Sequence, residues 1–134
     1  MSRPLSFELV SPERLLVSME AEMVVVPGSE GNFGVLADHM PMISSLRPGV
    51  IDVYAQRPEI ERKVFVAGGF CEVTKDTCTV LADSAKPVEE LNAAAIDQRI
   101  ADLKEDLQDA KTDAERAAVA HALAVAQAER AAAG

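Results

Sequence analysis

Between Val88 and Ala133 the sequence has no proline, no glycine and no aromatic residue. Proline and glycine punctuate strands and turns and are kept out of helix interiors, so this stretch reads as helical and the part before it does not. All seven prolines, six of the seven glycines and all five aromatics lie at or before Pro87. Cations are also scarce. Thirteen Lys and Arg against 22 Asp and Glu give a formal charge of −9 and a pI near 4.6. That balance argues against nucleic acid or anionic lipid as a direct partner, because both need a basic face. No apolar run approaches the roughly 20 residues that cross a bilayer, so no direct membrane insertion is expected. The first seven residues carry one basic side chain, Arg3, and no apolar core. Neither a secretory leader nor an Arg-rich transit peptide is read there.

What is present suffices for one domain with a small appendage: 134 residues, nearly half of them hydrophobic. Residues 1–87 read as short strands separated by turn signals such as Pro27-Gly28, Arg47-Pro48-Gly49 and Gly68-Gly69. The strand candidates are Leu5 to Leu9, Leu15 to Val17, Met23 to Val26, Met42-Ile43, Val50 to Tyr54, Val64 to Val66, Phe70 to Val73 and Cys78 to Leu81. This spacing predicts an antiparallel β-sandwich or flattened barrel, since parallel strands would need helical crossovers for which there is no room. In residues 88–134, Ile96, Ile100, Leu103, Leu107 and Ala110 step by four, three, four and three, which marks one face of a helix. Asn92 is its N-cap. Thr112-Asp113-Ala114-Glu115 has the form of a capping box that starts a second helix. The C-terminal part is therefore an antiparallel helical hairpin. Its second helix has only Val119, Leu123 and Val125 as large apolar residues, and an Ala face removes few methylenes from water. Weak docking onto the first helix follows, which leaves both a plain surface appendage and a mobile switch open.

The run from Val24 to Pro41 is the most informative stretch. Three valines and a Pro-Gly break are followed by Gly31 and Gly34, a spacing that predicts a fixed irregular loop between two strands, with glycines in backbone conformations other residues avoid. Such loops are contact surfaces, and nothing in this one resembles a reaction centre. The glycine spacing is not that of a nucleotide loop, and no helix N-terminus follows to receive a phosphate. Asp38, His39 and Ser44 lack the nucleophile-elbow pattern of a hydrolytic triad, and His121 reads as solvated. Cys71 and Cys78 flank a hairpin turn at Lys75-Asp76. Cys78 then lies opposite Val73 and diagonal to Cys71, roughly 7–8 Å away, beyond easy disulfide reach. Buried free thiols are expected, and with no third Cys or His nearby, no zinc site. No cofactor, metal, nucleotide-binding or catalytic residue is expected.

The run from Pro27 to Gly49 resembles the signature of the epsilon subunit of the F-type rotary ATP synthase, called delta in mitochondria. Val66 to Val73 and Val80 to Ala85 resemble two further hallmarks of that family, in order and at its spacing over roughly residues 5–86. The resemblance implies a non-catalytic subunit of the central rotor stalk, peripheral on the cytoplasmic face of a bacterial inner membrane, that couples rotation of the c ring to the gamma shaft. By position it implies that Glu30, Gly31, Asn32 and Phe33 face the c ring, and that His39 and Ser44 face gamma. Asn32 stands where some members carry an acidic residue. The family's helical hairpin folds beside the sandwich or extends into the catalytic head of alpha and beta subunits and inhibits hydrolysis. The positions of its ATP-binding motif fall on Asn92 and Ala95, which supply neither charge, so no ATP site is expected. Residues 88–134 hold ten acids against five bases, so only a weak inhibitory arm is expected. The alternative function is a free-standing β-sandwich binding module with a helical arm.

Overall fold

A computed structural model describes residues 3–134. The protein divides into two compact units, one ending at Pro87 and the other spanning Val88–Gly134. The first holds ten strands: β1 Leu5–Val10, β2 Leu15–Ala21, β3 Met23–Gly28, β4 Gly31–Leu36, β5 Met42–Leu46, β6 Gly49–Tyr54, β7 Arg62–Val66, β8 Gly69–Val73, β9 Thr77–Ala82 and β10 Ala85–Pro87. They form one curled sheet in the order β10-β7-β6-β3-β5-β8-β9-β1-β2, with β4 on the free edge of β3. The corner is β3. Its residues Met23–Val25 pair with β6, and at its end a lone pair, Gly28 with Leu46, joins it to β5. Inside the curl lies the core. Leu5, Phe7 and Leu9 alternate into it from β1, Val24 and Val26 from β3, Ile51 and Val53 from β6, and Cys71, Val73, Cys78 and Val80 from β8 and β9. Each such aliphatic side chain contributes roughly 1.5–3 kcal/mol by leaving water. The sandwich-then-hairpin architecture expected from the sequence is the one observed.

Three local expectations need correction. The pairing is not wholly antiparallel, because β1 runs parallel to β9, with Ser6 to Val10 beside Thr77 to Leu81. A helical crossover is needed only when parallel strands follow one another closely in sequence; here seven other strands make the connection. The Gly28–Gly34 stretch is not an irregular loop but a hairpin, paired from Met23–Leu36 down to Gly28–Gly31 around Ser29 and Glu30. Only Gly31 among its glycines has a positive φ, 137°. Gly28 is needed for room, since a Cβ there would sit 2.7 Å from the Gly31 carbonyl and 2.8 Å from the Phe33 ring. The cysteines have the expected register, Val73 opposite Cys78, yet their sulfurs lie 3.6 Å apart because both side chains turn toward each other across the diagonal. Both are free and buried. The hydrogen bond to Cys71 and burial push the Cys78 thiol well above its ordinary value.

The second unit opens with a 3-10 turn, Val88–Glu90, followed by α1, Ala93–Asp109, and α2, Asp113–Ala133. Asn92 caps α1 by accepting from the Ala95 N–H at 3.0 Å. Thr112 caps α2 by accepting from the Glu115 N–H at 3.0 Å. The reciprocal half of the capping box is displaced by one residue: the Glu115 carboxylate accepts from the Lys111 N–H, not that of Thr112.

Gly69 tests how tightly the sheet is packed. Its φ is 137°, and a Cβ would meet the Leu81 carbonyl oxygen at 2.1 Å. Gly31 has the same φ but open space around it. Gly69→Ala is expected to lower stability by more than about 2 kcal/mol, and Gly31→Ala by clearly less, measured by urea unfolding.

Candidate partner-binding surfaces

The tip of the β3–β4 hairpin presents Ser29 and Glu30 to solvent. It is tied to the start of the β5–β6 connection. The Arg47 guanidinium donates to the Gly28 carbonyl at 2.7 Å and to Asn32 Oδ1 at 2.5 Å, and the Ser29 N–H donates to the Ser45 carbonyl at 3.0 Å. Beside the tip is a shallow depression of about 360 Å³ lined by Glu30, Gly31, Phe33, Met42, Ile43 and Ser44, among others. Glu30, Gly31 and Phe33 are thus brought together with Ser44. Opposed residues on paired strands share a face, and Ser44 opposes the buried Cys71. His39 lies apart from the depression, half-buried, with its Nδ1–H donating to the Met40 carbonyl at 2.7 Å. It follows Asp38, whose φ of 69° is positive. Arg3 braces that turn, reaching Asp38 and Asp76 at 2.6 Å each.

The outer face of β5, β8, β9, β1 and β2 carries a feature that residue-by-residue matching misses. Ser45 opposes Phe70, Phe70 opposes Leu81, Leu81 lies beside Val10, and Val10 opposes Leu15. The pairings therefore place Phe70, Leu81, Val10 and Leu15 in one row across four strands. Phe70, Leu81 and Leu15 are 57%, 53% and 55% exposed. At the β5 end Ile43 is 72% exposed, and Met40, just before β5, is 80% exposed. Scattered apolar residues on a surface are ordinary, but an aligned row of large ones is a candidate interaction surface. The signal is present in the sequence. In Phe70-Cys71-Glu72-Val73 and Thr79-Val80-Leu81 both alternating faces hold an apolar residue, and the hairpin turn fixes their register.

In the helical unit the charges of the two helices meet. Arg130 Nε donates to Asp97 Oδ1 at 2.8 Å, and Arg99 lies 3.3 Å from the Glu129 carboxylate. Glu129 is only 7% exposed, and it and Ala126 are the buried residues of α2. Asp97 and Arg99, two apart on α1, thus point to different partners on α2. Ile96 is buried, while Ile100, Leu103 and Leu107 of the expected apolar face are partly so. The Asn92 side-chain oxygen is occupied by its capping bond. Among the described residues no cluster of His, Cys, Asp and Glu could hold a metal ion, and no helix is long and apolar enough to cross a membrane.

Comparison with known proteins agrees over both units. Residues 4–88 match the family described as "ATP synthase, Delta/Epsilon chain, beta-sandwich domain", and residues 92–133 match the family of the C-terminal domain of the ATP synthase epsilon subunit. The ATP synthase epsilon subunit of Rhodospirillum centenum is 51% identical over 133 residues, covering 96% of this chain and 91% of its own length. That of Paramagnetospirillum magneticum is 50% identical over 132 residues, covering 98% of both. Among solved structures, a subunit of the Euglena gracilis mitochondrial ATP synthase, determined as its OSCP/F1/c-ring part, superposes with a TM-score of 0.85 at 21% identity, over 98% of this chain and 82% of that one. A subunit of the Tetrahymena thermophila central stalk and c-ring assembly does so with a TM-score of 0.74 at 14% identity, over 99% and 98%. At those identities the superpositions establish the shared fold.

The cross-helix ion pairs make a prediction about the arm. Arg99→Ala leaves the Glu129 carboxylate buried without its cation and is expected to destabilise the helical unit by about 1–3 kcal/mol. Arg116→Ala, whose partner Asp113 is fully exposed on the same helix, is expected to change stability by less than about 0.5 kcal/mol. Thermal melting followed by circular dichroism at the helix band distinguishes the two.

Proposed function

Since this chain belongs to the ATP synthase epsilon family through both its sandwich and its helical part, we propose that it is a non-catalytic subunit of the central stalk that couples rotation of the c ring to the gamma shaft. The observation that carries this reading is the exposed apolar row of Phe70, Leu81, Val10 and Leu15 on a sandwich whose inner face is already filled. Such a row is stable in water only at a cost that a partner surface removes. Gamma takes that place, meeting the row and the neighbouring stretch from His39 to Ser44, where Met40 and Ile43 stand out. The hairpin tip, with Glu30, Gly31, Asn32 and Phe33, meets the c ring. Load then passes through a closely paired β body that does no chemistry of its own. The protein works as a peripheral subunit at the cytoplasmic face of the inner membrane, and needs no cofactor.

The helical unit is a regulatory arm of small effect. Of its five cations, Arg99, Arg116 and Arg130 are already paired with acids of the arm itself, which leaves little positive charge for meeting acids on a catalytic head.

Three measurements test the proposal. Pull-down of the full-length protein in mild detergent is expected to recover gamma and the c ring; their absence would leave a free-standing binding module. Phe70→Thr with Leu81→Thr is expected to weaken gamma binding by roughly 100-fold or more, as loss of a central apolar anchor does, with the thermal midpoint largely preserved because both side chains point outward and an opposed Thr pair suits a strand. Deleting residues 88–134 is expected to leave gamma binding intact and to raise ATP hydrolysis of the assembled enzyme less than about twofold, the scale of one exposed ion pair.

A further inference from the structure

The hairpin tip does not keep its shape through its own two-residue turn alone. Arg47 spans it. One guanidinium nitrogen donates to the carbonyl of Gly28, the last residue of β3, and the other to the side-chain oxygen of Asn32, the second residue of β4. The backbone N–H of Arg47 donates to the Pro27 carbonyl at 3.0 Å, so the same residue anchors its own backbone to the strand whose end its side chain grips. Ser45 completes the brace, with its hydroxyl donating to Ser29 Oγ at 2.9 Å. Both acceptors of the guanidinium are neutral oxygens. These contacts therefore fix geometry without cancelling the positive charge.

We propose that Arg47 is a positioning residue that sets the hairpin tip in its ring-binding shape, and that Asn32 contributes to ring binding by accepting from Arg47 and so holding the tip it belongs to. The inference rests on the reading that the tip meets the c ring. A planar fork with two rigid donors can hold two oxygens on different strands at once, which a lysine ammonium on a flexible stem does poorly. A tip already held loses less freedom on binding than one that orders at contact. Asn32 spends its oxygen on Arg47, which explains how a neutral residue serves within the contacting tip: the arginine needs an acceptor, not a charge.

The test uses the full-length protein and a gamma–c-ring assembly stripped of this subunit. Amide hydrogen exchange at Ser29, Glu30 and Gly31, the thermal midpoint and the affinity for the assembly are measured for wild type, Arg47→Ala, Arg47→Lys, Asn32→Ala and Asn32→Asp. Arg47→Ala is expected to speed exchange at the tip and to weaken binding, each roughly tenfold, the scale of one net hydrogen bond lost at an exposed site, with exchange in β8 and β9 unchanged. Arg47→Lys should restore less than half of either effect. Asn32→Ala should fall between wild type and Arg47→Ala, and serves in its place should that variant fail to fold. Asn32→Asp keeps an acceptor for Arg47 and should bind as wild type does. Binding by Arg47→Ala equal to wild type overturns the inference and leaves the ring reading standing, as does a strong effect of Asn32→Asp with unchanged tip exchange. A wild-type protein that does not bind the c ring overturns the ring reading and this inference together.

Discussion

Residues opposed on neighbouring strands point the same way, and the shape of the sandwich unit follows from that constraint. Once Val73 pairs with Cys78 and Cys71 with Val80, the inner face of β8 and β9 is apolar and sealed. The same register leaves Phe70 and Leu81 no choice but to face outward together. The core and the exposed row are thus two sides of one pairing. A one-residue slip would exchange them, putting Glu72 and Thr79 inside and the core valines outside, so the exposed row is protected by the same free energy that protects the fold.

Polar contacts play a second, more local part. They sit where pairing ends: Arg47 at the hairpin tip, Arg3 between two turns, and Arg57 against Glu22. In the last case the Arg57 side chain and amide hold the Glu22 carboxyl below its ordinary range. The favourable contribution is therefore present at neutral pH and fades as pH falls through that lowered value. In each case a cation fixes a segment that no ladder of strand bonds holds. In the helical unit the apolar contact across α2 is thin, with Ala126 as its only fully buried apolar residue. There the ion pairs Arg99–Glu129 and Asp97–Arg130 supply the alignment that methyl groups alone would leave loose.

Much of this is legible in the sequence. Period-two alternation marks most strands, the spacing from Ile96 to Leu107 marks α1, and Asn92 and Thr112 mark both caps, because these features depend on neighbours in sequence. The short β10 is not legible because Ala85-Lys86-Pro87 has no alternation to read; it exists only because β7 offers an edge. The parallel β1–β9 pair, the 3.6 Å approach of the two sulfurs and the Glu129–Arg99 pair depend on residues brought together from a distance, or on side-chain direction. At the candidate site, Glu30 to Phe33 stand out by motif. Arg47 reads only as a turn residue, since nothing in its local spacing announces that it reaches back to Gly28 and Asn32.

The parallel pairing of β1 with β9 has a bearing on how the protein is made. During synthesis β1 finds its hairpin partner β2 at once, but its other edge stays bare until residues 77–82 have followed. Throughout most of the synthesis of the β unit, then, β1 keeps an unpaired edge, and the core around Leu5, Phe7 and Leu9 lacks the β8 and β9 side chains that complete it. Closure is postponed to the last strands, and mutations that delay β9 are expected to harm yield in the cell more than their effect on the finished protein would indicate.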